Sequence, residues 1–499
     1  MTNRRIYQII LLIAGLLLVF ELASRITAEI LWFQEVGYLQ IFLLRLKTQG
    51  LLGTIAIAVS SVFLVGNLAL ARRLQHPAEE MKSPVVGALF ASLRANNTGK
   101  NTRKNYEIPV AKSPITFSWL LLAVFGLSSI ATLTVIHCGL LAASSITYFG
   151  IAGNLPPPPV QLGIESIQHG AVQLFSRWWQ LGLLLGTILA VVIKPDFWLR
   201  AIAIFISLAI GLIAASRWTN VLQYFHPINF NITDPLFHQN ISFYVFILPI
   251  LDWLGFWLIV VFLYSLVSCA LTYLLSGNSL SQGRFLGFSR SQQRHLYGLG
   301  AALMLAVAFR YWLGRYALLY SRGDVTYGAN YADVTVRLPC YGFLSMLAGA
   351  IALLMLCQVY QFKIKNELIK KIIVAWLTLS LLGTWLLPQI VQQLLVQPNE
   401  LAREQPYIQR SIAFTKEAFD LNTIEIKTFD PAGKLTYADL EKNQLTISNI
   451  RLWDKRPLLQ TTRQLQQIRP YYTFPDADID RYTIKNEKAQ KGDSESQQV

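Results

Sequence analysis

Apolar residues gather along the chain into nine runs, at positions 6–23, 51–71, 117–136, 178–193, 201–215, 253–275, 296–313, 341–359 and 372–391. A helix crossing the hydrocarbon core of a bilayer needs roughly 20 mostly apolar residues, so the pattern predicts nine transmembrane helices. The fourth and fifth runs are short and are separated only by Lys194-Pro-Asp-Phe-Trp-Leu199, which predicts either a membrane hairpin or one re-entrant pair. After position 391 the periodicity changes. Residues 406–419 carry Ile408, Ile412, Ala418 and Phe419 at helical spacing, 458–468 repeats the pattern, and 423–429 alternates like a strand. A segment of this size buries a modest core at best and leans on the membrane region or on another chain. The last stretch, 485–499, has no large apolar residue before the terminal valine and reads as disordered. The predicted fold is an all-α polytopic membrane protein followed by a short extracytoplasmic α/β segment, divided as 1–391, 392–484 and 485–499.

Composition agrees, with 53% apolar and only 14% charged residues against about 25% charged in ordinary soluble domains. The net charge of +15 would suit a nucleic-acid partner, but its distribution argues for membrane topology and against nucleic acid. From Gln392 onward there are 15 basic and 15 acidic residues, so the whole excess lies upstream. With the amino terminus inside, loops 1–5, 72–116, 194–200, 276–295 and 360–371 carry 19 Lys or Arg in 89 positions, against 8 in 132 for loops 24–50, 137–177, 216–252 and 314–340. The positive-inside rule therefore places the amino terminus in the cytoplasm and everything after 391 outside. A cleaved signal peptide over the first run would leave that outside placement unchanged.

The loops read as membrane-surface structure. Leu31-Trp-Phe-Gln-Glu-Val-Gly-Tyr38 and residues 225–249 are rich in aromatics that settle at headgroup depth or, alternatively, cage a cation. Asn154-Leu-Pro-Pro-Pro-Pro159 predicts a stiff polyproline spacer or docking site. The basic 72–116 loop suits anionic lipid headgroups.

Candidate chemistry is sparse. Asp476, Asp478, Asp480 and Glu487 fall at positions 1, 3, 5 and 12 of a calcium loop, but Arg481 occupies position 6, where the turn needs glycine. The competing reading is an acidic chain end paired with Arg481. Within the spans, Glu21 and Arg310 are the ionisable candidates; at similar depth they form either an ion pair or two snorkelling side chains. Cys138 and Cys340 sit near the outer face, as a bridge or as unpaired thiols. His137, His169, His226 and His238 lack metal-ligand spacing, and the chain has no phosphate loop, nucleophile elbow or His-Glu-x-x-His. No cofactor is indicated.

Several strings resemble uncharacterised protein family 0182, large multi-pass bacterial membrane proteins found in cyanobacteria and actinobacteria. They are Leu31-Trp-Phe-Gln-Glu-Val-Gly-Tyr38, Ile241-Ser-Phe-Tyr-Val-Phe-Ile-Leu-Pro249, Tyr327-Gly-Ala-Asn-Tyr-Ala-Asp333, Gln397-Pro-Asn-Glu-Leu401, Glu404-Gln-Pro-Tyr-Ile408, Asn449-Ile-Arg-Leu-Trp-Asp454, Arg456-Pro-Leu-Leu459 and Asp478-Ile-Asp-Arg-Tyr482. The resemblance implies an integral plasma-membrane protein whose spans precede an extracytoplasmic domain, and it supplies no catalytic residues. Members of that family look longer, which makes this chain resemble a truncated or split member. The expected role is a membrane-embedded scaffold or envelope component, not an enzyme, with the bilayer and other envelope proteins as partners. The rival is a transporter or channel with a polar path near Glu21 and Arg310, for which short or broken helices are the pertinent hint. A membrane-bound hydrolase would need outside acids or histidines converging on one pocket.

Overall fold

The computed structural model describes residues 2–75, 117–147, 178–275, 287–321, 327–360, 366–428, 433, 435–450, 454–466, 474–477, 483–484 and 497–498. Every one of the nine apolar runs lies on helix. They fall on α1 (Thr2–Glu35), α2 (Leu39–Gln75), α3 (Phe117–Thr147), α4 (Trp178–Ile193), α5 (Pro195–Ser216), α7 (Leu248–Leu274), α8 (Arg290–Ala317), α9 (Leu338–Val359) and α10 (Asn366–Leu381), with the short α6 (Trp218–Phe225) between α5 and α7. Among the described residues, seven helices are long and apolar enough to cross a membrane, and 180–193 forms a shorter apolar helix. The shorter helix is α4, whose 16 residues extend about 24 Å at the helical rise of 1.5 Å. A single residue, Lys194, separates it from α5.

The core forms where α2, α3, α5 and α7 pack together. Leu64 and Leu68 of α2, Ala131 and Cys138 of α3, Ile206 and Ile210 of α5, and Tyr264 and Leu271 of α7 belong to one buried cluster. Small residues set the closest approach: a Cβ on Gly211 would lie 2.3 Å from Ile57 Cγ1 and 3.1 Å from the Gly53 carbonyl oxygen. Gly211 belongs to a four-residue-spaced stripe of Ala203, Ser207, Gly211 and Ala215 on α5. Small-xxx-small spacing of this kind lets two backbones meet. A second cluster joins Leu344, Ala348 and Ile351 of α9 to Trp376 of α10.

Prolines shape the helix starts. A π-turn at Phe243–Ile247 leads into Leu248-Pro249, one at Asp333–Arg337 into Leu338-Pro339, and one at Leu382–Leu386 into Leu387-Pro388. Proline removes the amide that would bond the carbonyl four residues back, and its ring crowds that carbonyl. Widening the preceding turn by one residue relieves the crowding. The last apolar run therefore does not stop at 391. Its helix passes through α11 (Leu387–Val391), a further π-turn at Gln392–Val396 and a 3-10 turn into α12 (Glu400–Ala418).

The chain divides into two compact units at Phe419/Asp420, downstream of the 391/392 boundary expected from hydropathy, because hydropathy ends with the apolar run and the helix does not. The second unit has three short helices, α13 (Tyr437–Lys442), α14 (Gln444–Ser448) and α15 (Lys455–Leu465). Among the described residues the α/β segment expected here is not supported. The alternating 423–429 stretch begins in a 3-10 turn at Leu421–Thr423, is extended at Ile424, and forms no strand through 428. Alternation makes a strand only where a neighbouring edge accepts its hydrogen bonds. Among the described residues, sheet is limited to a two-residue antiparallel ladder, Thr483–Ile484 with Gln497–Gln498.

Candidate functional site

Two polar layers cross the first unit, and α8 carries a member of each. His295 and Arg310 are fifteen residues apart on this helix, about 22 Å along its axis.

In the first layer Arg310 Nη1 donates to Asp252 Oδ1 at 2.5 Å, both side chains being largely buried. Asp252 belongs to α7, so the pair ties α7 to α8. Two neighbouring carboxylates are also saturated. Asp234 accepts from the amides of Leu236, Phe237 and Gln239 and from the Tyr244 hydroxyl at 2.6 Å. Asp333 accepts from Ser321 Oγ at 2.7 Å, the Asn330 amide at 3.3 Å and Arg337 Nη1 at 2.8 Å. The end of α8 lies between these two loops: the Tyr316 ring packs on Phe237 and Phe243, while Ser321 bonds Asp333.

The two loops share one plan. Asn240 Oδ1 accepts from the Ser242 amide, and Asn330 Oδ1 accepts from the Asp333 amide. In each, the π-turn starts three residues after the asparagine and the proline follows nine residues after it. The α7 and α9 starts are therefore built alike, each from an asparagine cap, a widened turn and Leu-Pro. A further buried acid, Glu404 of α12, accepts the Tyr331 amide on both oxygens at 3.2 Å, and Arg403 stacks over the Tyr331 ring. Burial raises the Glu404 carboxyl above the usual carboxylate range, and the Tyr331 amide opposes that shift.

The second layer joins α2, α7 and α8. The Tyr273 hydroxyl lies 2.8 Å from His295 Nδ1, and His295 Nε2 lies 3.0 Å from Asn67 Oδ1. Asn67 Nδ2 donates to the Phe63 carbonyl, so Oδ1 faces the ring as acceptor. This orientation assigns the proton of a neutral His295 to Nε2 and makes Tyr273 the donor to Nδ1. Gln292 donates to the Leu74 carbonyl at 3.2 Å and Gln75 to the Thr272 carbonyl, closing the same three helices around the triad.

Of the candidates named from sequence, Arg310 is in the first layer but its carboxylate partner is Asp252. Glu21 instead pairs with Arg25 one turn along α1, at 2.6 Å and with both side chains exposed. The expected Glu21–Arg310 pair is replaced by these two, and each guanidinium takes the nearer acid: Arg25 lies on Glu21's own helix, and α7, which bears Asp252, packs directly on α8. Asp476 bonds the Ala477 amide and Lys455 Nζ, the latter at 3.4 Å. The amide and then the ammonium hold its carboxyl below the usual range. Asp478, Asp480, Arg481 and Glu487 lie outside the described residues, as do the polyproline stretch and nearly all of the 72–116 loop. Among the described residues no cluster of three or more His, Cys, Asp or Glu is placed to hold a metal ion. All four cysteines are free.

Sequence reasoning missed Asp252, Asn67, Tyr273 and His295. Asp252 was assigned to a loop because the apolar run starts at 253, yet the helix begins ahead of it. The available signal was Pro249, an N-terminal helix residue that sets the helix start upstream of the acid.

Long apolar helices tied by buried hydrogen bonds, with large apolar side chains such as Val62, Leu189 and Leu353 on their outer faces, define an all-helical protein suited to a membrane. A family model, Uncharacterised protein family (UPF0182), matches residues 6–494. The chain belongs to that family. It is 46% identical over 495 residues to a UPF0182 protein of Nostoc sp. (strain PCC 7120), covering 97% of this chain and 49% of the relative. It is 40% identical to one from Trichodesmium erythraeum (strain IMS101), with 94% and 49% covered, and 37% identical to one from Microcystis aeruginosa (strain NIES-843), with 95% and 49% covered. The chain thus spans about half the length of these curated relatives. No solved structure matches it.

Proposed function

We propose that this chain is a non-enzymatic, membrane-embedded scaffold of the bacterial envelope, seated in the plasma membrane with its amino terminus cytoplasmic and its second unit outside. The observation that supports this reading is how the bundle uses its polar groups. Asp252, Arg310, Asp234, Asp333, Tyr273, His295 and Asn67 all spend their hydrogen bonds on neighbouring helices and loops of the same unit. Buried polar groups satisfied in this way fix helix pairing. The partners on this reading are the bilayer, anionic headgroups at the basic 72–116 loop, and other envelope proteins at the outer unit.

In-cell crosslinking from the second unit, paired with solute and ion flux in proteoliposomes, tests this. A scaffold yields discrete crosslinked partners and a liposome no leakier than one without protein. Flux that disappears in His295→Phe would replace the scaffold with a transporter, whose path would run through the Tyr273–His295–Asn67 layer and not past Glu21.

A further inference from the structure

The last turn of α2 meets the corner between α4 and α5 through one side chain. Arg72 Nη2 donates to the Asp196 carbonyl at 2.6 Å and to Asp196 Oδ1 at 2.8 Å, while its Nη1 has no partner among the described residues. Three further cations lie close to this contact along the chain. Arg73 follows Arg72, Lys194 is the single residue between the two helices, and Arg200 stands one turn beyond Asp196; all three are exposed. Among the described residues none of the three pairs with a carboxylate. The corner thus sets four cations against one acid, at the first turn of the 22-residue α5, whose amino end adds positive potential of its own.

The same few residues are also apolar. Phe197 and Trp198 directly follow Asp196, are 63% and 40% exposed, and meet edge to face with ring centroids 5.5 Å apart; Ile193, at the end of α4, is 65% exposed. A surface both cationic and aromatic matches the headgroup layer of a bilayer, where aromatic rings settle and anionic lipids attract Lys and Arg. We propose that the Arg72–Asp196 corner is a binding site for the phosphodiester headgroup of an anionic phospholipid. Arg72 Nη1, Lys194 and Arg200 offer donors to the phosphate oxygens, and Ile193, Phe197 and Trp198 offer apolar surface to the acyl chains. Those apolar neighbours select a lipid over a free phosphate ion. Asp196 holds the Arg72 guanidinium at the start of α5 and, as an anion itself, weakens the attraction. The site deepens the headgroup contact proposed for the 72–116 loop; it rests on the first unit lying in a bilayer and on neither the scaffold role nor the orientation.

The test titrates the full chain in mild detergent with phosphatidylglycerol or phosphatidylcholine and counts bound lipid by native mass spectrometry. One phosphatidylglycerol should be retained in preference to phosphatidylcholine and should resist displacement by inorganic phosphate. Lys194→Gln combined with Arg200→Gln should weaken retention about 30-fold, or about fivefold per charge removed, whereas Asp196→Asn should strengthen it. Arg290→Gln combined with Lys371→Gln removes the same charge from the starts of α8 and α10 and should leave retention unchanged. Lys194 caps α5 without a side-chain bond and Arg200 is exposed, so the double variant keeps its fold, which helical dichroism verifies. Four outcomes overturn the proposal: equal weakening in the α8 and α10 variant, which makes the attraction diffuse; equal retention of phosphatidylcholine, which leaves apolar contact alone; displacement by inorganic phosphate, which makes the corner a site for a soluble anion; or weaker retention in Asp196→Asn, which reduces Asp196 and Arg72 to a structural tie. Absence of crosslinked partners would remove the scaffold and leave this lipid count as it stands.

Discussion

The Asp252–Arg310 pair shows how a single contact fixes geometry. Two charges largely withdrawn from water recover part of their solvation through one another, so removing one partner of such a pair costs about 3–5 kcal/mol, whereas replacing both by apolar groups of similar volume is often neutral or better. Asp252→Leu and Arg310→Met are each expected to lower the unfolding midpoint in micelles sharply, and the double variant to recover most of the loss. Additive losses in that cycle would mean the two side chains do not depend on each other. Carboxylates beyond the spans make an opposite pair of pH predictions. Asp439 is held below its usual range by the Thr436 hydroxyl and then the Thr436 amide. Its contribution to the α13 cap is therefore present above the ordinary aspartate value of about 3.9 and is lost only as pH falls through its lower folded value. Glu404, raised by burial, has the reverse sign: its protonated form is favoured in the fold, so its contribution is fullest below about 4.3 and declines as pH rises through the folded value. Carboxyl carbon NMR titration should find Asp439 and Glu404 displaced in those opposite directions. Neither behaviour is visible in sequence, since both depend on which amide the chain folds back to present.

At the level of elements, sequence identified every long helix and misjudged where helices begin and end. Hydropathy sees side chains, and the runs at 253, 296 and 372 start where charge stops. The backbone continues through Asp252, His295 and Glu367 because helical hydrogen bonding is indifferent to a polar side chain that finds a partner. The expected strand at 423–429 failed for the complementary reason, that alternation describes one edge and says nothing of a second. Helix crossings are encoded more legibly in the Ala203, Ser207, Gly211, Ala215 stripe. Gly211→Ala would place a methyl against Ile57 and the Gly53 carbonyl, and overpacking of this kind costs about 1–3 kcal/mol. Ile57→Ala in the same chain should restore much of the loss by clearing the nearest atoms. Gly66→Ala on α2, where nothing lies within 4 Å of an added Cβ, is the control and should leave micelle stability within about 0.5 kcal/mol. Equal effects at Gly211 and Gly66 would mean that helix propensity, and not the α2–α5 crossing, decides the outcome.

Over the whole molecule, the bundle's directionality rests on charge, because lipid-facing helices carry no mark of which end is which. The apolar faces seen on α2, α5 and α9 would suit either orientation equally. Lys and Arg differ more than threefold in density between alternate loops, and on the proposed orientation retention of positive charge on the cytoplasmic side accounts for that asymmetry. The alternation survives if α4 and α5 only dip into the bilayer, provided both ends of the dip return to one side, because 216–252 and every later loop then keep the sides they have with two full crossings. Single cysteines at Ser92, Ser166, Ser281 and Ser448, in a chain without its native four, separate these arrangements when intact cells meet a membrane-impermeant thiol reagent. Two full crossings by α4 and α5, or a paired dip that returns to its own side, leave Ser166 and Ser448 labelled and Ser92 and Ser281 protected. If α4 crosses and α5 does not, Ser92 and Ser281 fall on opposite sides and only one of them labels. Labelling at Ser92 and Ser281 together, with Ser166 and Ser448 protected, inverts the bundle and places the second unit in the cytoplasm, which overturns the proposed orientation.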